Sequence, residues 1–298
     1  MINLIRWCGI IVILTASANA LPPVIVPTNL QTNNISGYFS PTAMINNIQK
    51  NGNYIFGQVT GGAFILDTNN NQLSTHNLVG GGNLAGFGNN RVYGADRFVD
   101  LTSRSETLLS LANPPSNLNS FGISGANGNR VYGSYMSDQI NPTTGMRMPY
   151  SENFFGIVSS NNTINWTTAP TTDAGGSYYF KNIFGNFAFG SYMEYDPIKN
   201  PNLTTKGLIY DLTTGNKTLL DVPSTFGSRI EAMSGNLIYG SYEYVVSSGS
   251  GGSGPGAPGQ VLETRGYVYD GVNFFTLAFN DPTAADGYDY ASFRSVSA

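Results

Sequence analysis

The stretch GNLIYGSYEY, residues 235–244, decides the reading of this chain, because the chain writes it five times. The other copies are GNYIFGQVT (52–60), NNRVYGADR (89–97), GNRVYGSYM (128–136) and GNFAFGSYM (185–193). Aligned on their central glycines, Gly57, Gly94, Gly133, Gly190 and Gly240, the copies are spaced by 37, 39, 57 and 50 residues. A period near 40–50, filled with short β-branched and aromatic runs bounded by Gly, Asn, Asp and Pro, is the pattern of a four-stranded propeller blade. Helical periodicity is absent throughout. The repeat therefore predicts a multiplied structural unit, not a multiplied active-site loop.

The plan of the unit, strands A to D, is clearest towards the C-terminal end. SRIEAMS (228–234) reads as strand A, and Gly235-Asn236 as the turn into strand B. Both residues tolerate the positive φ that two-residue hairpins need. GLIYDL (207–212) reads as strand C of the preceding unit and KTLLDV (217–222) as its strand D, with Thr214-Gly215-Asn216 between them. In the fifth unit GYVYDG (266–271) and NFFTLAF (273–279) take the same places. FRSVSA (293–298) matches IEAMSG (230–235) and reads as one more strand A, while VIVPTN (24–29) and NNISGYFS (33–40) fall where strands C and D would lie. The expectation is an all-β propeller of six blades, with five as the alternative, in which N-terminal strands close the last blade and leave no exposed edge.

HNLVGGGNLAGFGNNRVYGAD (76–96) and AMINNIQKNGNYIFGQV (43–59) resemble the HAF family of extracellular repeats, which pairs a Leu-Gly-Gly segment with an Ile-Asn…Gly…Val-Gly segment. GGAFILD (61–67) and RGYVYDG (265–271) fit the aromatic strand that follows in that family. The similarity is strong over the first two units and looser over the last three. It implies an exported repeat protein of propeller type and brings no catalytic residues with it.

Residues 1–20 read as a signal peptide: Arg6, a short apolar run from Trp7 to Ala16, then Ser17-Ala18-Asn19-Ala20 as a small-residue end. The expected destination is outside the cell, in the periplasm or on the cell surface. Residues 21–298 are then a single propeller domain built from repeats of 37–57 residues, expected to be monomeric. The one cysteine, Cys8, falls in the leader, so the mature chain has neither disulfide nor thiol chemistry. No later run is apolar for about 18 residues, so no transmembrane segment is expected.

Charged residues make up 11% of the chain, against about 25% in a typical soluble domain. With 14 basic and 18 acidic residues and no basic cluster, the electrostatic footprint of a nucleic-acid or anionic-membrane partner is missing. The only histidine, His76, lies in strand D of the first unit and reads as a surface residue, so histidine-based triads and shuttles have little to stand on. Strand C ends in Asp67, Asp100, Asp211 and Asp270, each before a turn, where an Asx side chain bonds the backbone two residues on. The run GGGNLAGFG (80–88) mimics a dinucleotide loop, but a strand follows it where that loop needs a helix. No cofactor, metal or catalytic residue is assigned.

The units differ between strands B and C. Units 3, 4 and 5 carry insertions at 136–153, 193–206 and 243–265, the last enclosing the Gly/Ser-rich tract 247–259. In a propeller these emerge on one face, where scaffold-held loops carry function. Tyr135, Tyr192, Tyr195, Tyr242 and Tyr244 stand at the loop bases with Asp138, Glu194, Asp196 and Glu243 among them. Aromatic rings beside carboxylates suit sugar faces and hydroxyls, or a protein hot spot. The expected function is binding of a glycan or protein there. The alternatives are a glycosidase or lyase working through paired carboxylates, which needs no histidine, and a purely structural envelope repeat.

Overall fold

A computed structural model describes residues 24–25, 45–51, 53–59, 62–76, 84–140, 143–196, 200–223, 225, 227–247, 261–280 and 288–290. Residues 1–20, expected as a signal peptide, NNISGYFS, FRSVSA and all of the Gly/Ser-rich tract beyond Ser247 lie outside the described residues. Among the described residues there is no helix, and so none long and apolar enough to cross a membrane.

Among the described residues, five four-stranded antiparallel units follow one another. After β1 (Val24–Ile25), the first is β2 (Ile45–Asn51), β3 (Tyr54–Val59), β4 (Gly62–Asp67) and β5 (Gln72–His76). The second is β6 (Gly86–Gly88), β7 (Arg91–Tyr93), β8 (Arg97–Asp100) and β9 (Glu106–Leu108), trailed by β10 (Ser110–Leu111). The third is β11 (Leu118–Asn127), β12 (Arg130–Ile140), β13 (Arg147–Val158) and β14 (Thr163–Thr168). The fourth opens with the short β15 (Thr172–Asp173) and continues with β16 (Gly176–Phe184), β17 (Phe187–Asp196), β18 (Asn200–Asp211) and β19 (Lys217–Leu220). The fifth is β20 (Gly227–Ser234), β21 (Leu237–Ser247), β22 (Val261–Tyr269) and β23 (Phe274–Asn280), with β24 (Tyr288–Tyr290) paired to β23.

From the second unit on, the first strands of successive units lie side by side. β6 pairs with β11 in parallel through Gly86–Ala126 and Phe87–Asn127, β11 packs on β16, and β16 packs on β20. Meanders stacked in chain order with their first strands adjacent are the blade arrangement of a β-propeller. The five units account for the five copies of the repeat. The N-terminal segment joins the last unit, while the other segments expected to complete a sixth blade lie outside the described residues. Val24 and Ile25 run parallel to Thr276 and Leu277 of β23 as an extra edge strand. β10 covers the edge of β14 in the same way, through Ser110–Thr163 and Leu111–Ile164. Both additions occupy the outer edge of a sheet, where unpaired backbone groups would otherwise invite another chain.

The repeated glycine has a local cause. In units 3, 4 and 5 the A–B register slips by one residue, opposite Gly133, Gly190 and Gly240. The extra residue is Ser124, Lys181 or Glu231, each nine positions ahead of its glycine. Such a bulge pushes a strand-A carbonyl towards the second strand. A Cβ on these glycines would come under 3.0 Å from the carbonyl oxygens of Gly122, Tyr179 and Arg229 respectively. On the other side the glycine faces a large strand-C residue: Phe154, Leu208 or Tyr267, each 0% exposed. Only a residue without a side chain fits between.

The core is divided into layers between neighbouring units. Phe56, Ile65, Val92 and Val99 fill the space between the first two units. Tyr93, Phe98, Val131, Phe154 and Ile164 fill the next. Tyr132 and Phe155 meet Phe180 between the third and fourth, with the Phe155 and Phe180 rings edge-on at 4.9 Å. Ile230, Leu220 and Phe189 join the fourth to the fifth. Each fully buried large apolar side chain contributes about 1.5–3 kcal/mol. With no disulfide among the described residues, these layers hold the units together.

Candidate functional site

In their described residues, the insertions expected as loops are mostly strand. β12 and β13 stay paired out to Ile140–Arg147, β17 and β18 out to Asp196–Asn200, and β21 and β22 out to Ser247–Val261. Even Pro149, which has no N–H to give a ladder, stands opposite Asp138 within the pairing. A hairpin arm grows from an existing ladder one cross-strand pair at a time, so divergence from the repeat does not end a strand.

All nine residues singled out from sequence therefore lie on strands. Tyr135, Tyr192 and Tyr242 share one place in the repeat, two residues past the glycine, and all three are buried. Their hydroxyls donate to Glu152 and Asp173 in the first two cases and bond the Thr276 hydroxyl at 2.7 Å in the third. They pack in the core layers between sheets. Burial, and then the bond to Glu152, pushes the Tyr135 hydroxyl up to about 12. Tyr244 is half-buried under the Arg265 guanidinium, 4.6 Å from the ring centre. Asp138 pairs with Arg147 at 3.7 Å and accepts from Asn119, and Glu194 pairs with Lys206 at 2.9 Å. Glu243 lines a small pocket of about 60 Å³ with Thr205, Ser228 and Arg229. The side chains of Tyr195 and Asp196 lie outside the described residues.

The four strand-C aspartates behave as the turn chemistry requires. Asp67, Asp100, Asp211 and Asp270 accept from the backbone N–H groups of Asn69, Thr102, Thr213 and Val272, each two residues on. His76 is the exception to its reading as a surface residue. Its side chain is only 8% exposed, held between Glu106 at 3.3 Å and the Ser74 hydroxyl at 2.9 Å. It bridges the outer strands of the first two units. Among the described residues no group of three or more His, Cys, Asp or Glu is arranged to hold a metal ion.

The sequence reading missed two clusters. The first is centred on Asp173, whose carboxylate accepts from the hydroxyls of Tyr178 and Tyr192 at 2.6 and 2.5 Å, from the N–H groups of Gly175 and Gly176, and from Lys217 at 2.5 Å. Lys217, first, then Tyr178 and Tyr192 hold this carboxyl far below the usual carboxylate range. Burial works against the Lys217 ammonium, but Asp173 and the tyrosines outweigh it and raise its pKa. Every acceptor site is occupied, so the cluster is a clamp at the edge of the fourth unit.

The second cluster lines a groove of about 670 Å³ at the inner strands of the fourth and fifth units. Lys181 and Glu231, the bulge residues of the fourth and fifth units, meet there in an ion pair across the units. Glu231 is also held by Arg229 at 2.8 Å and by the Ser241 hydroxyl at 3.3 Å. Its side chain is 7% exposed, whereas those of Lys181 and Arg229 are 45% and 53% exposed. Burial and then the neighbouring Arg229 lower the Lys181 pKa. Tyr179, half-exposed, lines the same groove together with Ser191 and Thr264. The small pocket holding Glu243 adjoins through Arg229, Ser241 and Thr264. The signal that was available is positional: the bulge residue changes from Ser to Lys to Glu while the glycine opposite does not.

No family model and no curated protein matches this chain. Among solved structures, the N-terminal domain of Nup159 is similar at 12% identity and a TM-score of 0.31, over 83% of this chain and 64% of that one. The S. cerevisiae Dbp5 L327V complex with Nup159, Gle1 H337R, IP6 and ADP is similar at 11% identity and a TM-score of 0.31, with the same coverage. A BT0996 complex with RGII is similar at 10% identity and 0.29, over 78% of this chain and 73% of that one. The chain thus spans under two thirds of the first of these. At such TM-scores the fold rests on the strand pairing alone.

Proposed function

We propose that this chain is an exported binding module that takes up a saccharide in the groove between its fourth and fifth units. The observation that supports the reading is the half-exposed Tyr179 ring set beside Lys181, Arg229, Ser191 and Thr264 in one concave site. A flat aromatic face suits the C–H face of a sugar, and the surrounding donors and acceptors suit its hydroxyls. Binding is favoured over hydrolysis because two of the candidate carboxylates are separately engaged: Asp138 with Arg147 and Glu194 with Lys206.

A glycan array probed with the purified chain tests this. Retention of at least one saccharide class, lost in Tyr179→Ala at unchanged melting temperature, is the expected result. Binding that survives Tyr179→Ala but disappears when the arm 136–153 is shortened would move the site to the outer arms. Turnover of a bound polysaccharide would instead favour a carbohydrate-active enzyme.

A further inference from the structure

We infer that the groove selects an anionic saccharide, one bearing carboxylate or sulfate groups, through Arg229 and Lys181. This rests on the reading of the groove as a saccharide site and specifies the ligand class.

The argument starts from the bulges. A bulge re-aims the side chain of its extra residue. In the fourth unit that residue is Lys181 and in the fifth it is Glu231, and β16 packs against β20, so the two re-aimed side chains meet. Glu231 lies at the bottom of the meeting point, almost fully buried, and holds Lys181 from one unit and Arg229 from its own. One carboxylate therefore serves two cations, and the three together carry one excess positive charge in a chain of net charge −4. Glu243, in the adjoining pocket, is the further acid on that side.

The donors also remain unspent. Arg229 uses its Nε towards the Ser241 hydroxyl at 2.8 Å and towards Glu231 at 2.8 Å. Its two terminal nitrogens make no hydrogen bond among the described residues, and the side chain is half-exposed. Glu231 and Ser241 thus fix the guanidinium from beneath while its fork stays open to the groove. A forked guanidinium held in this way binds carboxylate or sulfate oxygens in pairs, and charge-assisted bonds of this kind are about twice as strong as neutral ones. A structural ion pair alone would need one cation, not two with half their surface in water.

The test is affinity electrophoresis and calorimetry with three probes: a polyuronate, a sulfated galactan and a neutral dextran. The wild-type chain is expected to bind the polyuronate or the sulfated galactan, with affinity falling as salt rises, and to ignore the dextran. Arg229→Gln should lower that affinity at least tenfold, and Lys181→Gln about threefold to tenfold. Should Arg229→Gln fail to fold, Arg229→Lys, which keeps the charge and loses the fork, should still show a clear loss. Which of the two anionic probes binds distinguishes carboxylate from sulfate recognition. Anionic binding that survives both glutamine substitutions overturns the inference. Binding of dextran as tight as that of the anionic probes overturns it too, while leaving a saccharide module standing. No binding to any polysaccharide removes both readings together.

Discussion

The ring of Tyr267 lies across Gly240, so that a Cβ at residue 240 would come under 3.0 Å from two of its ring carbons and from the Arg229 carbonyl oxygen. This is why the repeat keeps its glycine: the bulge closes one side and a core aromatic the other. Gly240→Ala should cost about 2–3 kcal/mol, the usual range for forcing atoms into a packed core. Gly122 is the control, because a Cβ there meets nothing within 4 Å. Gly122→Ala should be neutral or up to about 1 kcal/mol stabilising, since it only restricts the unfolded chain. Chemical denaturation of both variants checks the pair. Equal losses would mean that the crowding at Gly240 is not what fixes the residue.

Tyr267 and Tyr242 lie 6.5 Å apart between ring centres, yet their hydroxyls differ in kind. The Tyr242 hydroxyl bonds Thr276, whereas the Tyr267 hydroxyl is buried with no hydrogen-bond partner among the described residues. Burial accordingly raises the Tyr267 pKa strongly. Removing a buried unpaired hydroxyl removes a desolvation cost, while removing a paired one loses its hydrogen bond. Tyr267→Phe should therefore hold or raise the melting temperature, and Tyr242→Phe should lose about 1 kcal/mol. A thermal-shift series reads both.

The Asp173 clamp makes stability depend on acid. A carboxyl held below its unfolded value of about 3.9 contributes stability that is complete above that value and is lost as pH falls through the lower folded value. Acid titration of the wild type should show a stability decline that begins near about pH 4 and continues downwards. Asp173→Asn removes the charge that Lys217 and the tyrosines favour. It should cost on the order of 0.5–1 kcal/mol at about pH 7, the scale of a partly exposed pair, and flatten that acid slope. An unchanged slope in the variant would place the acid sensitivity elsewhere.

The repeat made the architecture legible and hid the groove. Gly235 sits at φ 57 in the turn read from sequence, the four aspartates cap their turns, and the glycine alignment marks the second strand of units 3, 4 and 5. All of these are local rules, in which a residue type answers to its own backbone. The groove answers to a slip of register. Glu231 and Lys181 read as ordinary strand residues until one extra position in each first strand turns them towards each other, and no propensity in either segment records that turn. Loop length misled for a related reason: divergence from the repeat looks the same whether the backbone leaves the sheet or extends it.

The third-unit arm puts that last distinction to a direct test. Beyond Asp138–Pro149 its apolar side chains face water: Ile140, Met146 and Met148 are 63%, 69% and 51% exposed. Nearer the sheet, Tyr135 is 5% exposed, bonds Glu152 and meets the Trp166 ring edge-on at 5.3 Å. Replacing residues 140–147 by an Asn-Gly turn, closed by the Gln139–Met148 pair, should thus change stability by no more than about 0.5 kcal/mol, because it removes exposed ladder and keeps the register of β12 and β13. Truncating Tyr135 to Ala should cost about 3–5 kcal/mol, the range for deleting a buried aromatic ring. If the short-arm variant instead loses as much as the Tyr135→Ala variant, the outer hairpin is part of the core's support, and the boundary between scaffold and arm lies further out than Asp138.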